Sequence, residues 1–140
     1  MKLFRVETHD GKGPWESGLS ELNRKIVWAE LAANPRLYPE ARAPEAVALM
    51  LDYREWRHYM TEHHAFGCET KADLRRWFPS GKACLALAEA GAVLTIYRAD
   101  ELHTIESAWE VAFDRRHAKR IKVRPLGSLH GTSPQRGLSL

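Results

Sequence analysis

The sequence predicts an α+β fold, a single compact domain in which about five mostly antiparallel strands are packed by about three to four helices. Two observations lead to this class. Strand-like and helix-like segments follow one another in an irregular order, without the strand-helix alternation that a doubly wound parallel sheet requires. The chain has 140 residues, the size of one ordinary domain. We therefore assign residues 1–126 to one domain and residues 127–140 to a flexible C-terminal tail.

The composition indicates a packed globular protein. Hydrophobic residues make up 44% of the chain and charged residues 28%, which excludes global disorder and fibrous repeats. No apolar run approaches the roughly 18 residues that a membrane helix needs, and the first residues lack the apolar centre of a signal peptide. We therefore expect a cytoplasmic protein without membrane contacts. The two cysteines, Cys68 and Cys84, are expected to be reduced thiols.

The N-terminal half contains one predicted strand and two predicted helices. Residues 3–7 alternate apolar and polar side chains, as a strand does, and lead into a glycine-rich loop at residues 9–14. Apolar side chains then recur at helical spacing from Ser17 or Ser20 to residue 33, where an Asn-Pro pair ends the run. A second helix is predicted over residues 45–60.

The C-terminal half alternates short helices with the remaining strands. A strand over residues 65–68 precedes Thr70 and Asp73, whose spacing is that of a capping box at the start of a helix. A further helix over residues 83–90 ends at Gly91, which is expected to adopt a left-handed conformation. The last predicted strands cover residues 93–97, 109–113 and 121–126, and a basic turn or helix at residues 114–119 separates the last two.

The positive charge of the chain is concentrated near its C-terminal end. The chain has 21 Lys and Arg against 18 Asp and Glu, and the surplus lies within residues 115–124. Arg115, Arg116 and Arg120 are therefore candidate contacts to a partner. Nucleic-acid-binding surfaces usually combine a basic face with stacking aromatic rings, and this segment has no aromatic residue after Phe113. Weak nucleic-acid binding through this segment is thus an alternative that we do not favour.

The usual metal, nucleotide and nucleophile motifs are missing. His58, His63, His64 and Cys68 come nearest to a metal cluster, but their spacing matches no zinc motif, so we predict no metal site. The glycine-rich loop at residues 9–14 lacks both the P-loop and the dinucleotide-binding pattern. Cys68 precedes a predicted helix N-terminus, whose dipole would lower the pKa of its thiol. No cofactor is expected on these grounds.

Three residues on or next to predicted strands form a more specific pattern. Arg5 lies on the first strand, Thr70 follows the strand at residues 65–68, and Glu110 opens the strand that ends at Phe113. This order resembles the arginine, serine or threonine, then glutamate layout of the ADP-ribosyltransferase fold. The resemblance implies that Arg5 binds the NAD phosphates, that Thr70 orients the nicotinamide ribose, and that Glu110 stabilises the developing positive charge. It also implies NAD as the cofactor of such an enzyme.

A second resemblance covers more of the chain. The segments Phe4-Arg5-Val6-Glu7, Gly11-x-Gly13-Pro14-Trp15 and Phe66-Gly67-Cys68-x-Thr70 resemble small phage and prophage proteins that have no assigned activity. This resemblance implies an accessory protein that binds and blocks a component of the bacterial host, including its defence nucleases. Trp15, beside the glycine-rich loop, and Trp28, off the apolar stripe of the first helix, are candidate partner contacts because aromatic side chains dominate interface hot spots. We therefore favour a binding protein without catalysis, with the ADP-ribosyltransferase-like enzyme as the alternative.

Overall fold

The computed structural model describes residues 1–13, 19–33, 62–106 and 110–131. The predicted helix over residues 45–60 and residues Trp15 and Trp109 lie outside these ranges, as do residues 132–140. Within them the chain forms six strands and three α-helices, numbered in chain order. The strands are β1 (Lys2–Thr8), β2 (His64–Gly67), β3 (Ala92–Ala99), β4 (Thr104–Glu106), β5 (Val111–Asp114) and β6 (Ala118–Pro125). The helices are α1 (Ser20–Ala33), α2 (Lys71–Trp77) and α3 (Gly81–Glu89).

The strands form two small antiparallel sheets. The first has the order β1-β3-β6 and the second the order β2-β5-β4. The two sheets meet at one isolated bridge between Phe4 of β1 and Cys68, which directly follows β2. At this bridge the two residues exchange backbone hydrogen bonds of 2.7 and 2.9 Å. We call this bridge the sheet junction.

The two faces of the first sheet are covered by different parts of the chain. Successive residues of a strand point to opposite faces, so Phe4 and Val6 pack into a helix-side core together with Leu87 and Leu129. Leu3 points the other way and belongs to a second core between the sheets. In that core the rings of Tyr97 and Phe113 lie 5.0 Å apart between their centroids.

Short polar side chains begin α2 and α3, and the sequence predicts the first of these two caps. The hydroxyl of Thr70 accepts a hydrogen bond of 3.0 Å from the backbone of Asp73, which satisfies one of the free N–H groups at the start of α2. Ser80 caps α3 in the same way, at 3.1 Å from the backbone of Ala83. Gly91 follows α3 with a φ of 103°, so the left-handed conformation predicted there is confirmed.

The α+β class is confirmed, with three corrections to its details. The strands belong to two three-stranded sheets rather than one, because β1 and β2 meet only at the sheet junction. Strand β4 was not predicted. The first residues of the segment assigned to a tail, up to His130, instead belong to a 3-10 helix over Leu126–His130, in which the side chain of Leu129 is fully buried against the helix-side core. None of the described helices is long and apolar enough to cross a membrane.

At the sheet junction, residue 67 has less room for a side chain than almost any real Cβ contact allows. A Cβ atom on Gly67 would lie 3.2 Å from the carbonyl oxygen of Phe4 and 3.3 Å from the Cβ of Leu3. We expect Gly67→Ala to lower the free energy of unfolding by about 1–3 kcal/mol, because the strands must separate to admit the methyl group. Denaturant unfolding of the purified protein measures this difference.

Gly81→Ala is the matched control for this substitution. No atom lies within 4 Å of a Cβ built on Gly81, the first residue of α3. Alanine there should leave stability unchanged or raise it by about 0.4–1 kcal/mol, because both substitutions reduce the freedom of the unfolded chain. Equal unfolding midpoints for the two variants would contradict the close approach of β1 and β2.

Candidate functional site

Strand β1 carries two charged side chains into the space between the sheets. Arg5 and Glu7 are two residues apart and therefore share a face of the strand. Only 6% of Arg5 and 0% of Glu7 is exposed to solvent. Buried charges are costly unless they are paired, and here Arg5 Nε donates to Glu7 Oε1 at 2.7 Å.

The carboxylate of Glu7 also binds two side chains from the neighbouring strands. The hydroxyl of Tyr97 donates to Glu7 Oε2 at 2.7 Å, and Arg120 Nη2 donates to the same oxygen at 2.6 Å. Burial, and then the hydrogen bond to Glu7, raises the pKa of Tyr97 above its ordinary value, so the phenol is the donor. Arg5, Glu7, Tyr97 and Arg120 thus link β1, β3 and β6, and we call them the buried charge network.

The glycine-rich loop after β1 folds over this network through its backbone carbonyls. Arg120 Nη1 donates to the carbonyl of His9 at 3.1 Å, and Arg115 Nη2 donates to the carbonyl of Gly11 at 2.6 Å. Gly11 has a φ of 85°, a conformation that side-chain-bearing residues rarely adopt. A Cβ on Gly13 would lie 2.9 Å from Arg5 Nη2, so a larger residue would collide with the network. Gly11 is therefore explained by its backbone conformation, and Gly13 by its close packing against Arg5.

Arg5 connects the network to the second sheet. Its Nη1 donates to the carbonyl of Phe66 on β2 at 2.9 Å, and its Nη2 donates to the carbonyl of Gly11 at 3.3 Å. Together with the bond to Glu7, these contacts engage all three nitrogens of the guanidinium. The side chain of Arg5, which was predicted to bind the NAD phosphates, is buried in this structure and joins β1, β2 and the loop.

The other two residues of the predicted NAD site lie beside the sheet junction. Val111 pairs with Gly67, which places Glu110 opposite Cys68, next to the bridge with β1. Thr70 follows two residues later and caps α2. The three predicted positions therefore occupy or flank neighbouring strands β1, β2 and β5. Cys68 packs into the helix-side core, however, whereas the side chain of Arg5 points to the opposite face.

Both cysteines are buried free thiols. Burial raises the pKa of Cys68 far above its usual range, and the negative charges of Glu110 and Asp73 raise it further. The expectation that the dipole of α2 lowers this pKa is wrong, because desolvation outweighs it. Burial likewise raises the pKa of Cys84 to about 12. Neither thiol is poised as a nucleophile at neutral pH.

The predicted partner contacts lie partly outside the described residues. The side chain of Trp28, on α1, is not described, and Trp15 lies outside the described ranges. Arg115 and Arg120 hold the glycine-rich loop. Arg116 binds the carboxylate of Asp114 at 2.7 and 3.1 Å, which holds the pKa of that carboxyl well below its usual range. Arg116 is still more than half exposed.

Exposed cations from three strands form a different surface. Lys2, Arg98 and Lys119 lie directly opposite one another across β1, β3 and β6, and all three are exposed. Lys122 and Arg124 are paired with Ile96 and Leu94 of β3 and continue the same face along β6. We call Lys2, Arg98, Lys119, Lys122 and Arg124 the basic face. Sequence analysis placed Lys119, Lys122 and Arg124 in the basic segment 115–124 but missed Lys2 and Arg98, because only strand register brings these two beside them.

A family model described as bacteriophage T4 Y00F protein matches residues 1–127. The chain belongs to the bacteriophage T4 Y00F protein family. No curated protein and no solved structure matches the chain. The expectation of a small phage protein is thereby confirmed, whereas these comparisons provide no support for an ADP-ribosyltransferase. The segment matched to the Y00F family includes the whole buried charge network and the whole basic face.

The buried charge network of this Y00F family protein should control its stability. Glu7→Gln keeps the shape of the side chain but leaves two guanidinium groups without their shared anion. We expect this substitution to lower the free energy of unfolding by about 3–5 kcal/mol, because an uncompensated buried charge remains. Tyr97→Phe removes a hydrogen bond without removing the charge pair, so it should cost only about 1 kcal/mol.

Denaturant unfolding of the two variants and the wild type measures both effects. Glu89→Gln, on the exposed end of α3, is the control for a change of net charge. If Glu7→Gln were no more destabilising than Glu89→Gln, the network would contribute nothing to holding β1, β3 and β6 together.

Proposed function

We propose that this protein is a phage accessory protein that binds an acidic surface of a bacterial host protein, a defence component among the candidates, and thereby modulates or inhibits it. The proposal places this activity in the bacterial cytoplasm and assigns the contact to the basic face. The proposed function involves neither catalysis nor a cofactor. The observation that carries it is the row formed by Lys2, Arg98 and Lys119.

Like charges directly opposite one another across strands are unfavourable, by roughly 0.2–1 kcal/mol for each pair. The row contains two such pairs, Lys2 with Arg98 and Arg98 with Lys119. No carboxylate of the described residues forms an ion pair with any member of the basic face. An acidic partner would relieve this repulsion, and complementary charge would also speed the encounter.

The edge position of β6 favours a protein partner over nucleic acid. Within the part of the chain that the structure describes, β6 pairs only with β3, so its outer edge has backbone groups to offer to an extended segment of another chain. The large apolar side chains exposed among the described residues are Leu85, Leu102 and Val123. None of these is aromatic, whereas binding of single-stranded nucleic acid relies on aromatic stacking.

A charge-reversal experiment tests the contact. The double variant Arg98→Glu, Lys119→Glu and the control Lys82→Glu, exposed on α3, are immobilised beside the wild type and incubated with host lysate. The bound host protein is then purified and its affinity for each variant is measured. We expect the double variant to lose at least about tenfold in affinity, because attraction becomes repulsion at the centre of the row.

The control should bind as the wild type does, and the affinity of the wild type should fall as salt is added. Equal affinity of the double variant and the wild type for the purified host protein would refute the basic face as the contact. Binding of single-stranded DNA or RNA with the same dependence on Arg98 and Lys119, in place of a protein, would favour the nucleic-acid alternative.

The ADP-ribosyltransferase-like alternative rests on the placement of Arg5, Thr70 and Glu110 on or beside neighbouring strands. Against it, the guanidinium of Arg5 is occupied by Glu7 and by two backbone carbonyls. We therefore expect wild-type protein incubated with labelled NAD and host lysate to transfer no label. Transfer by the wild type that is lost in Glu110→Ala would establish the enzyme instead.

A further inference from the structure

Two tight 3-10 turns lie side by side at the end of the first sheet. One covers Glu101–His103 after β3, and the other covers Arg115–His117 before β6. The backbone N–H of Asp100 donates to the carbonyl of His117 at 2.9 Å, which ties the two turns together. As a result the imidazole rings of His103 and His117 are stacked, with centroids 3.6 Å apart and planes within 4° of parallel.

Asp100 adds a carboxylate to this pair of rings. Its Oδ1 accepts a hydrogen bond of 3.0 Å from the backbone of Leu102, which orients the side chain. Its Oδ2 lies 3.9 Å from Nε2 of His103, beyond hydrogen-bond distance. One donor atom from each of Asp100, His103 and His117 lies within 4.8 Å of the other two, and all three residues are exposed.

We propose that Asp100, His103 and His117 bind one Zn²⁺ ion. Zinc takes imidazole nitrogens and carboxylate oxygens at about 2.0–2.2 Å, so donors in a tetrahedral site lie roughly 3.4 Å apart. The donor atoms lie within 4.8 Å of one another, so binding requires these exposed side chains to rotate. This rotation also ends the parallel stacking of the two rings, because stacked imidazoles direct their nitrogen lone pairs side by side rather than toward one ion. Three protein ligands leave a coordination position for water or for a side chain of a partner.

The donor set favours a transition metal such as zinc over Mg²⁺ and Ca²⁺. The two hard cations take oxygen ligands, whereas two imidazoles and one carboxylate suit zinc. Arg98, Arg116 and Lys119 lie within two residues of these ligands along the chain, and their positive charges oppose a divalent ion. The carboxylate of Asp100 offsets part of this repulsion. We therefore expect a reversible surface site rather than one on which folding depends. The proposal is independent of the host-protein contact.

Zinc titration of the full-length chain without a histidine tag tests the site, by calorimetry and by competition with a chromophoric chelator. His103→Gln and His117→Gln each remove one nitrogen ligand. Asp100→Asn removes the charge but keeps an oxygen that can cap Leu102. His9→Gln, at an exposed histidine in the glycine-rich loop, is the matched control.

We expect the wild type to bind one zinc ion per chain. Each of the three site variants should lose at least about tenfold in zinc affinity. The zinc affinity of His9→Gln should equal that of the wild type. Circular dichroism and thermal unfolding check that every variant is folded. Titration of the wild type followed by NMR should shift the imidazole signals of His103 and His117 first. The proposal is overturned if the wild type binds no zinc, or if His103→Gln and His117→Gln bind it as tightly as the wild type.

Discussion

The fold depends on one buried carboxylate. Glu7 has no exposed surface, and its two oxygens receive hydrogen bonds from Arg5, Tyr97 and Arg120, which come from all three strands of the first sheet. A charge in this position is tolerated only because each oxygen has partners. The carboxylate of Glu7 consequently holds the three strands of the first sheet together. Its arginine partners extend these contacts to the glycine-rich loop and to the start of the second sheet.

Arg5 links the buried carboxylate of Glu7 to the second sheet. The backbones of β1 and β2 are joined at a single bridge, and the guanidinium of Arg5 adds a contact to Phe66 beside it. The close approach of Gly67 to Phe4 allows the two strands to meet there. A residue that the ADP-ribosyltransferase resemblance assigns to a ligand thus has a structural role.

Two groups of basic side chains have different roles in this phage protein. Arg5, Arg115 and Arg120 donate to buried groups or to loop carbonyls, and so stabilise the fold. The basic face offers its charges to solvent, without ion pairs to the described residues. Arginine presents five donors in a rigid fork and suits the first role, whereas exposed lysines at a sheet edge oppose aggregation through that edge.

The sequence by itself determined the fold class, α1 and the cap of α2, and it indicated a phage protein, because these features depend on local spacing and on short motifs. Thr70 caps α2 through a contact three residues along the chain. The sequence did not determine the partners of Arg5 or the existence of the basic face. Glu7 and Arg120 are separated by 113 residues, and Lys2, Arg98 and Lys119 align only through strand register. Tertiary structure decided these because pairing between distant strands is set by the packing of the whole sheet, which no local pattern encodes.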